Sequence, residues 1–162
     1  MKYAKVKNVK APTRGTEKSA GIDFYVPENF ECLLAPGKDV LIPSGIKMEI
    51  PAGYMLIGAD KSGVVTSKQA CLSAGRTPKA EAFNSTVIIG AKIIDEDFQG
   101  EIHIHLINTG KQPVHIKPGM KIAQFILVPV LYASLEEVPA SELFTNRPSA
   151  RGDGAFGSTG SY

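Results

Sequence analysis

Three short stretches of this chain hold residues whose types and spacing suit phosphate chemistry. In Arg151-Gly152-Asp153-Gly154-Ala155-Phe156-Gly157-Ser158-Thr159-Gly160, a permanently charged guanidinium sits among four glycines. Bare glycine backbone turns its N–H groups toward an anion, and the planar Arg fork matches phosphate. Phe156, alone among small residues, offers a face to a planar base. The same composition also fits a solvated tail. Asp60-Lys61-Ser62-Gly63 sets an ammonium, a hydroxyl and a glycine amide side by side, a phosphate cradle that lacks the glycine spacing of a Walker loop. An ordinary polar turn reads the same way. Finally, Ile93-Ile94-Asp95-Glu96-Asp97-Phe98-Gln99-Gly100-Glu101-Ile102 flanks acidic residues with apolar runs, which predicts a hairpin with a carboxylate at its bend. Such a carboxylate can serve as general base toward a water nucleophile, or simply face solvent.

Other reactive residues are less persuasive. His103 and His105 alternate and share a strand face, with His115 further on, but no Cys or acidic partner stands at metal-binding spacing. Cys32 and Cys71 have no CxxC spacing and read as reduced structural thiols. With 18 basic and 16 acidic residues, the charge gives no broad footprint for nucleic acid. No apolar run reaches membrane-helix length, and no signal-peptide pattern opens the chain, so a cytoplasmic compartment is expected and the Arg-Gly-Asp tripeptide at 151–153 is not read as an adhesion motif.

The elements that must position these residues are strands. A chain of 162 residues accommodates one domain. Short Val- and Ile-rich runs dominate: Val40 to Ile42, Ile46 to Ile50, Tyr54 to Ile57, Val87 to Ile89, Ile102 to Leu106 and Ile122 to Val128. Pro-Gly, Asn-Thr-Gly and Pro-Ala-Gly turns separate them, which predicts an all-β sandwich, jelly roll or barrel. A short helix is expected near Ser134 to Glu137 or Ser141 to Phe144. Two segments break the rhythm: a polar loop over 66–85 and the tail over 141–162.

Taken in order, Ala20-Gly21-Ile22-Asp23-Phe24, Lys61-Ser62-Gly63, Ile93 to Gly100, Pro118-Gly119-Met120-Lys121-Ile122-Ala123-Gln124 and Arg151 to Gly160 resemble the five motifs of the trimeric dUTPase family. The resemblance spans about Lys18 to Gly160. It implies an antiparallel jelly-roll-like β-domain over 1–140, a homotrimer with composite active sites, and a flexible arm over 141–162 that closes over the nucleotide. It further implies hydrolysis of dUTP to dUMP and pyrophosphate with Mg²⁺, the metal held by the triphosphate and waters, with Asp23 at most facing it through a bound water. Asp95 would be the base. Lys61, Ser62, Gly63 and Gln124 would meet the phosphates, and Arg151 the γ-phosphate. Phe156, with Gly157 beside it, would cover uracil. Backbone from Lys92 through Ile94 to Asp95 would read the base, and Phe98 would lie under the deoxyribose.

Departures from the family pattern bear on these roles. Lys61 stands where Arg is usual and loses the bidentate fork. Phe98 replaces a usual Tyr. Lys92 replaces a common glycine beside the uracil pocket. The loop over 66–85 exceeds the usual spacing, and its Lys68, Arg76 and Lys79 can assist phosphate binding or contact a protein partner. Two alternatives therefore stand beside hydrolysis: a dUTP-binding regulatory protein, or a same-fold enzyme of shifted base specificity such as a dCTP deaminase.

Overall fold

The computed structural model describes residues 1–61, 87–147, 149, 150, 152 and 154. The loop expected over 66–85, the cradle residues Ser62 and Gly63, and Arg151, Phe156 and Gly157 of the tail lie outside the described residues. The chain divides into two units, Met1–Leu131 and Tyr132–Tyr162.

The first unit is all-β. Its strands are β1 (Lys2–Lys5), β2 (Thr13–Arg14), β3 (Gly21–Tyr25), β4 (Cys32–Leu34), β5 (Asp39–Pro43), β6 (Ile46–Glu49), β7 (Tyr54–Ala59), β8 (Val87–Ile89), β9 (Ile93–Ile94), β10 (His103–Asn108), β11 (Val114–Ile116) and β12 (Lys121–Pro129). Described ladders are all antiparallel. A five-stranded sheet runs in the order β2-β3-β12-β7-β9, a three-stranded one β5-β10-β8, and β1-β6 and β11-β4 form pairs. Successive strands β3 to β6 each join a different sheet, which is the jelly-roll habit the turn-rich sequence predicts.

Alternation does most of the folding work. Along β10, Ile104, Leu106 and Asn108 are buried while His103, His105 and Ile107 lie toward the other face. Leu106, Ile104, Ile42, Ile116 and Ile122 are all but sealed from solvent, each contributing roughly 1.5–3 kcal/mol by burial. Phe24 and Phe125 meet at the centre with ring centroids 4.7 Å apart, tilted by 59°. Asn108 is the buried polar exception, and it is satisfied: its amide donates to the Leu34 and Gln112 carbonyls at 2.9 and 2.8 Å and accepts from Gly110 N–H at 3.0 Å. Gly45 turns the chain between β5 and β6 at φ +74°, where an added Cβ would stand 3.0 Å from both Lys7 and Val9.

In the second unit the only regular element among the described residues is a single 3-10 turn, Ala140–Glu142. The sequence places a short helix in this neighbourhood. With no buried residue to anchor it, it does not extend into an α-helix, and Ser134 to Glu137 form none.

Candidate functional site

Two groups of polar residues stand out, and they sit at different places on the five-stranded sheet. The first is built on β3, β12 and the end of β7. Asp23 pairs in register with Gln124, which on its other side pairs with Ala59. Lys121 and Gln124 are three positions apart and would face opposite sides of a regular strand. A bulge between Lys121 and Ala123 adds the residue that brings both to the face of Asp23. Asp23 is 1% exposed. Lys61 Nζ donates to its Oδ1 at 2.6 Å, and Lys121 Nζ faces Oδ2 as an ion pair at 2.9 Å without the alignment of a hydrogen bond. Burial pushes the Asp23 pKa up, but the two ammonium groups outweigh it and hold the carboxyl below its ordinary value. Asp23 in turn raises the Lys121 pKa. Gln124 donates to the Asp60 carbonyl at 3.0 Å, while the Asp60 carboxylate accepts from Ile89 N–H at 2.7 Å.

The second group lies on the turn after β9. Phe98 N–H donates to the Asp95 carbonyl at 3.2 Å, closing a β-turn that leaves the Asp95 side chain exposed. The turn is tied down by Glu96, whose carboxylate accepts from Gly53 N–H. Here the structure corrects one expectation. Ile93–Ile94 does not pair with the strand beyond the turn. It pairs with β7, and β10 crosses into the sheet with β5 and β8. Ile102 is the cause: its N–H goes to Ile46 and its carbonyl accepts from Ser44, so the chain leaving the turn is bound elsewhere before it can meet Ile94.

Among the described residues, strand β9 is the edge of its sheet. Lys92 offers less to a base than its place in the motif implies, because its carbonyl accepts from Gly58 N–H at 2.5 Å. Opposite pairs alternate in an antiparallel ladder, so Ile94 also turns its backbone toward β7, and Ile93 points its backbone groups outward. Phe98 is 42% exposed and borders a shallow groove of about 420 Å³ with Tyr3, Lys47 and Met48. That groove does not include Asp95, Lys61 or Gln124.

Register gives the distance between the groups. Asp23 and Gln124 stand level with Ala59, whereas Asp95 follows Ile94, which is level with Leu56. Four positions along the strands and three strand spacings across them put Asp95 roughly 20 Å from Asp23. A reacting phosphorus must lie within about 3–4 Å of both nucleophile and stabilising groups. Within one copy the two groups therefore stand too far apart to meet at a single phosphorus.

Among the described residues no three His, Cys, Asp or Glu side chains cluster for a metal. Each histidine has a protein partner instead: His105 meets Asp39 at 2.9 Å, His115 meets Glu31 at 2.6 Å, and His103 lies 2.9 Å from the Glu101 carbonyl. Lys121 is the residue that sequence reasoning passed over. It lies inside the Pro118-to-Gln124 motif, but only the bulge reveals where it points. No helix of the described residues is long and apolar enough to cross a membrane.

An all-β subunit whose buried carboxylate anchors two cations, and whose edge strand presents a second carboxylate on a separate turn, has the makings of a nucleotide-phosphate hydrolase. Residues 7–160 match the dUTPase family model. The deoxyuridine 5'-triphosphate nucleotidohydrolase of Ehrlichia canis is 35% identical over 94% of this chain and 88% of its own length. That of Desulfotalea psychrophila is 36% identical over 92% and 86%. In three dimensions, a Staphylococcus bacteriophage 80alpha dUTPase variant with dUpNHpp superposes with a TM-score of 0.76, at 24% identity over 98% of this chain and 97% of the other. The chain belongs to the dUTPase family.

Proposed function

We infer that the chain hydrolyses dUTP to dUMP and pyrophosphate as a homotrimer whose active sites are shared between copies. The observation that carries the shared site is the roughly 20 Å between Asp95 and the Asp23 group within one subunit. A second copy must bring one half to the other. Symmetric closure of such a heterologous contact gives a ring.

In this reading Asp95 takes a proton from a water. The water oxygen bonds to the α-phosphorus as the bond from that phosphorus to the α,β-bridging oxygen breaks, and pyrophosphate leaves with the electron pair. Lys61 and Gln124 of another copy, with Ser62 and Gly63, hold the phosphates in line. Asp23 keeps its two ammonium groups aimed, and Lys61 carries its charge as a point rather than a fork. Outward backbone on β9 reads uracil, the Phe98 ring lies under the deoxyribose, and the arm over 141–162 brings Arg151 to the γ-phosphate and Phe156 with Gly157 onto the base.

Magnesium is described in a related structure, that of a Staphylococcus aureus phage phi11 dUTPase variant, as a structural Mg(II) ion. In this chain both Asp23 oxygens face ammonium groups, so a directly bound cation there would meet two like charges. Mg²⁺ would therefore be carried by the triphosphate, with Asp23 at most facing it through a bound water, and would neutralise phosphate charge. The cytosol, which holds the nucleotide pool, is the compartment this activity fits.

Purified protein given dUTP and Mg²⁺ should release pyrophosphate, with dCTP, dTTP and UTP cleaved far more slowly. Asp95→Asn should lower kcat by about 10²–10⁴-fold while nucleotide binding is kept. Intact dUTP, or a near-normal rate in Asp95→Asn, refutes the assignment.

A further inference from the structure

The Phe98 ring rests on a residue that has no chemistry of its own. A Cβ built on Gly100 would stand 2.5 Å from Phe98 Cζ, 2.9 Å from Cε2 and 3.3 Å from Cε1. The tip of the ring therefore lies on the bare α-carbon of Gly100. Backbone geometry does not demand glycine here, because Gly100 is not among the residues at positive φ. Its lack of a side chain serves the ring. The turn below is held at both ends, by Phe98 N–H on the Asp95 carbonyl and by Glu96 on Gly53. Phe98 as a residue is 42% exposed, and the groove that it borders with Tyr3, Lys47 and Met48 is open beside it, so the ring has room to move.

We propose that Gly100 is a positioning residue for sugar discrimination: by lacking a side chain it lets the Phe98 ring fold back over the turn, where the ring closes the space that a ribose 2′-hydroxyl would need. This rests on the reading above that Phe98 lies under the deoxyribose of dUTP. Ordinary carbon contacts lie at about 3.5–4.0 Å, so a methyl at position 100 displaces the ring by about 1 Å. The exposed ring yields toward the groove, and the fold is kept. An excluded hydroxyl then gains room, and preference for dUTP over UTP falls by about tenfold.

The test compares kcat/KM for dUTP and UTP, by pyrophosphate release, in wild type, Gly100→Ala, Phe98→Leu and the double variant, each with its circular dichroism and oligomeric mass. Gly100→Ala should lose about tenfold in the dUTP/UTP ratio, and should add nothing on the Phe98→Leu background, because the ring through which it acts is gone. An unchanged ratio in Gly100→Ala, or the same further loss on both backgrounds, overturns the proposal and leaves the role of Phe98 standing. If Phe98→Leu itself leaves the ratio unchanged, the reading of Phe98 fails instead. Wild-type protein with a non-hydrolysable dUTP analogue gives a check independent of any variant. Nuclear Overhauser contacts between the Phe98 ring and the Gly100 α-protons should persist; their loss on binding overturns the proposal.

Discussion

Replacing Asp23 by Asn removes one charge and almost no volume from strand β3 of the five-stranded sheet, and its cost follows from the surroundings. The carboxylate is 1% exposed, and two ammonium groups stand 2.6 and 2.9 Å away. Removing one member of a buried ion pair costs about 3–5 kcal/mol. The Lys61 and Lys121 side chains are 27% and 43% exposed, so both can turn their charge toward water, and about 2 kcal/mol is the expected loss. For a chain of this size that lowers Tm by roughly 4–8 °C. The effect depends on pH in a definite sense. Asp23 titrates lower in the fold than its ordinary 3.8, so its contribution is complete above that value and is lost as pH falls through the lower folded value. Thermal unfolding of wild type and Asp23→Asn at one fixed protein concentration, from neutral pH downward, measures the gap. It should be constant above pH 5 and close below 3.8. Equal stability at neutral pH, or a gap that persists undiminished in acid, would show that the two ammonium groups do not hold this carboxylate charged.

Other perturbations reach different links of the account. Gly21→Ala places a methyl against the Gln124 amide, which must then leave the Asp60 carbonyl. KM for dUTP should rise about tenfold in steady-state assays, and an unchanged KM would remove Gln124 from the phosphate side. Phe125→Ala deletes half of the central ring pair, 2% exposed, and should cost about 3–5 kcal/mol in urea unfolding. A loss below about 1 kcal/mol would mean that the core collapses around the gap.

Strands whose two faces differ were legible in the sequence. Val40 to Ile42, Ile46 to Ile50 and Ile122 to Val128 fall within or against β5, β6 and β12, because alternation records which side meets the core. Strand β3 carries no such record. All five of its residues are buried, and it was visible only through the Gly21-Ile22-Asp23 motif. The strands of the β11-β4 pair are three residues each, too short for periodicity to register. At the site, residue types pointed to Asp95 and Lys61 and the family resemblance to Gln124, but their mutual distance depends on sheet order, which is set by long-range pairing. The bulge that aims Lys121, and the capture of Ile102 by Ser44 and Ile46, are likewise tertiary outcomes with no local signal.

Mixing two crippled variants tests the shared site most directly. Asp95→Asn spoils the turn after β9 and leaves Lys61 intact; Lys61→Met does the reverse, and each alone should be nearly inactive. Unfolded together in equal amounts and refolded, they should recover about a quarter of wild-type dUTP hydrolysis, since each site would draw its two halves independently from a random mixture of copies. A refolded mixture no more active than its separate components would contradict a site assembled between subunits.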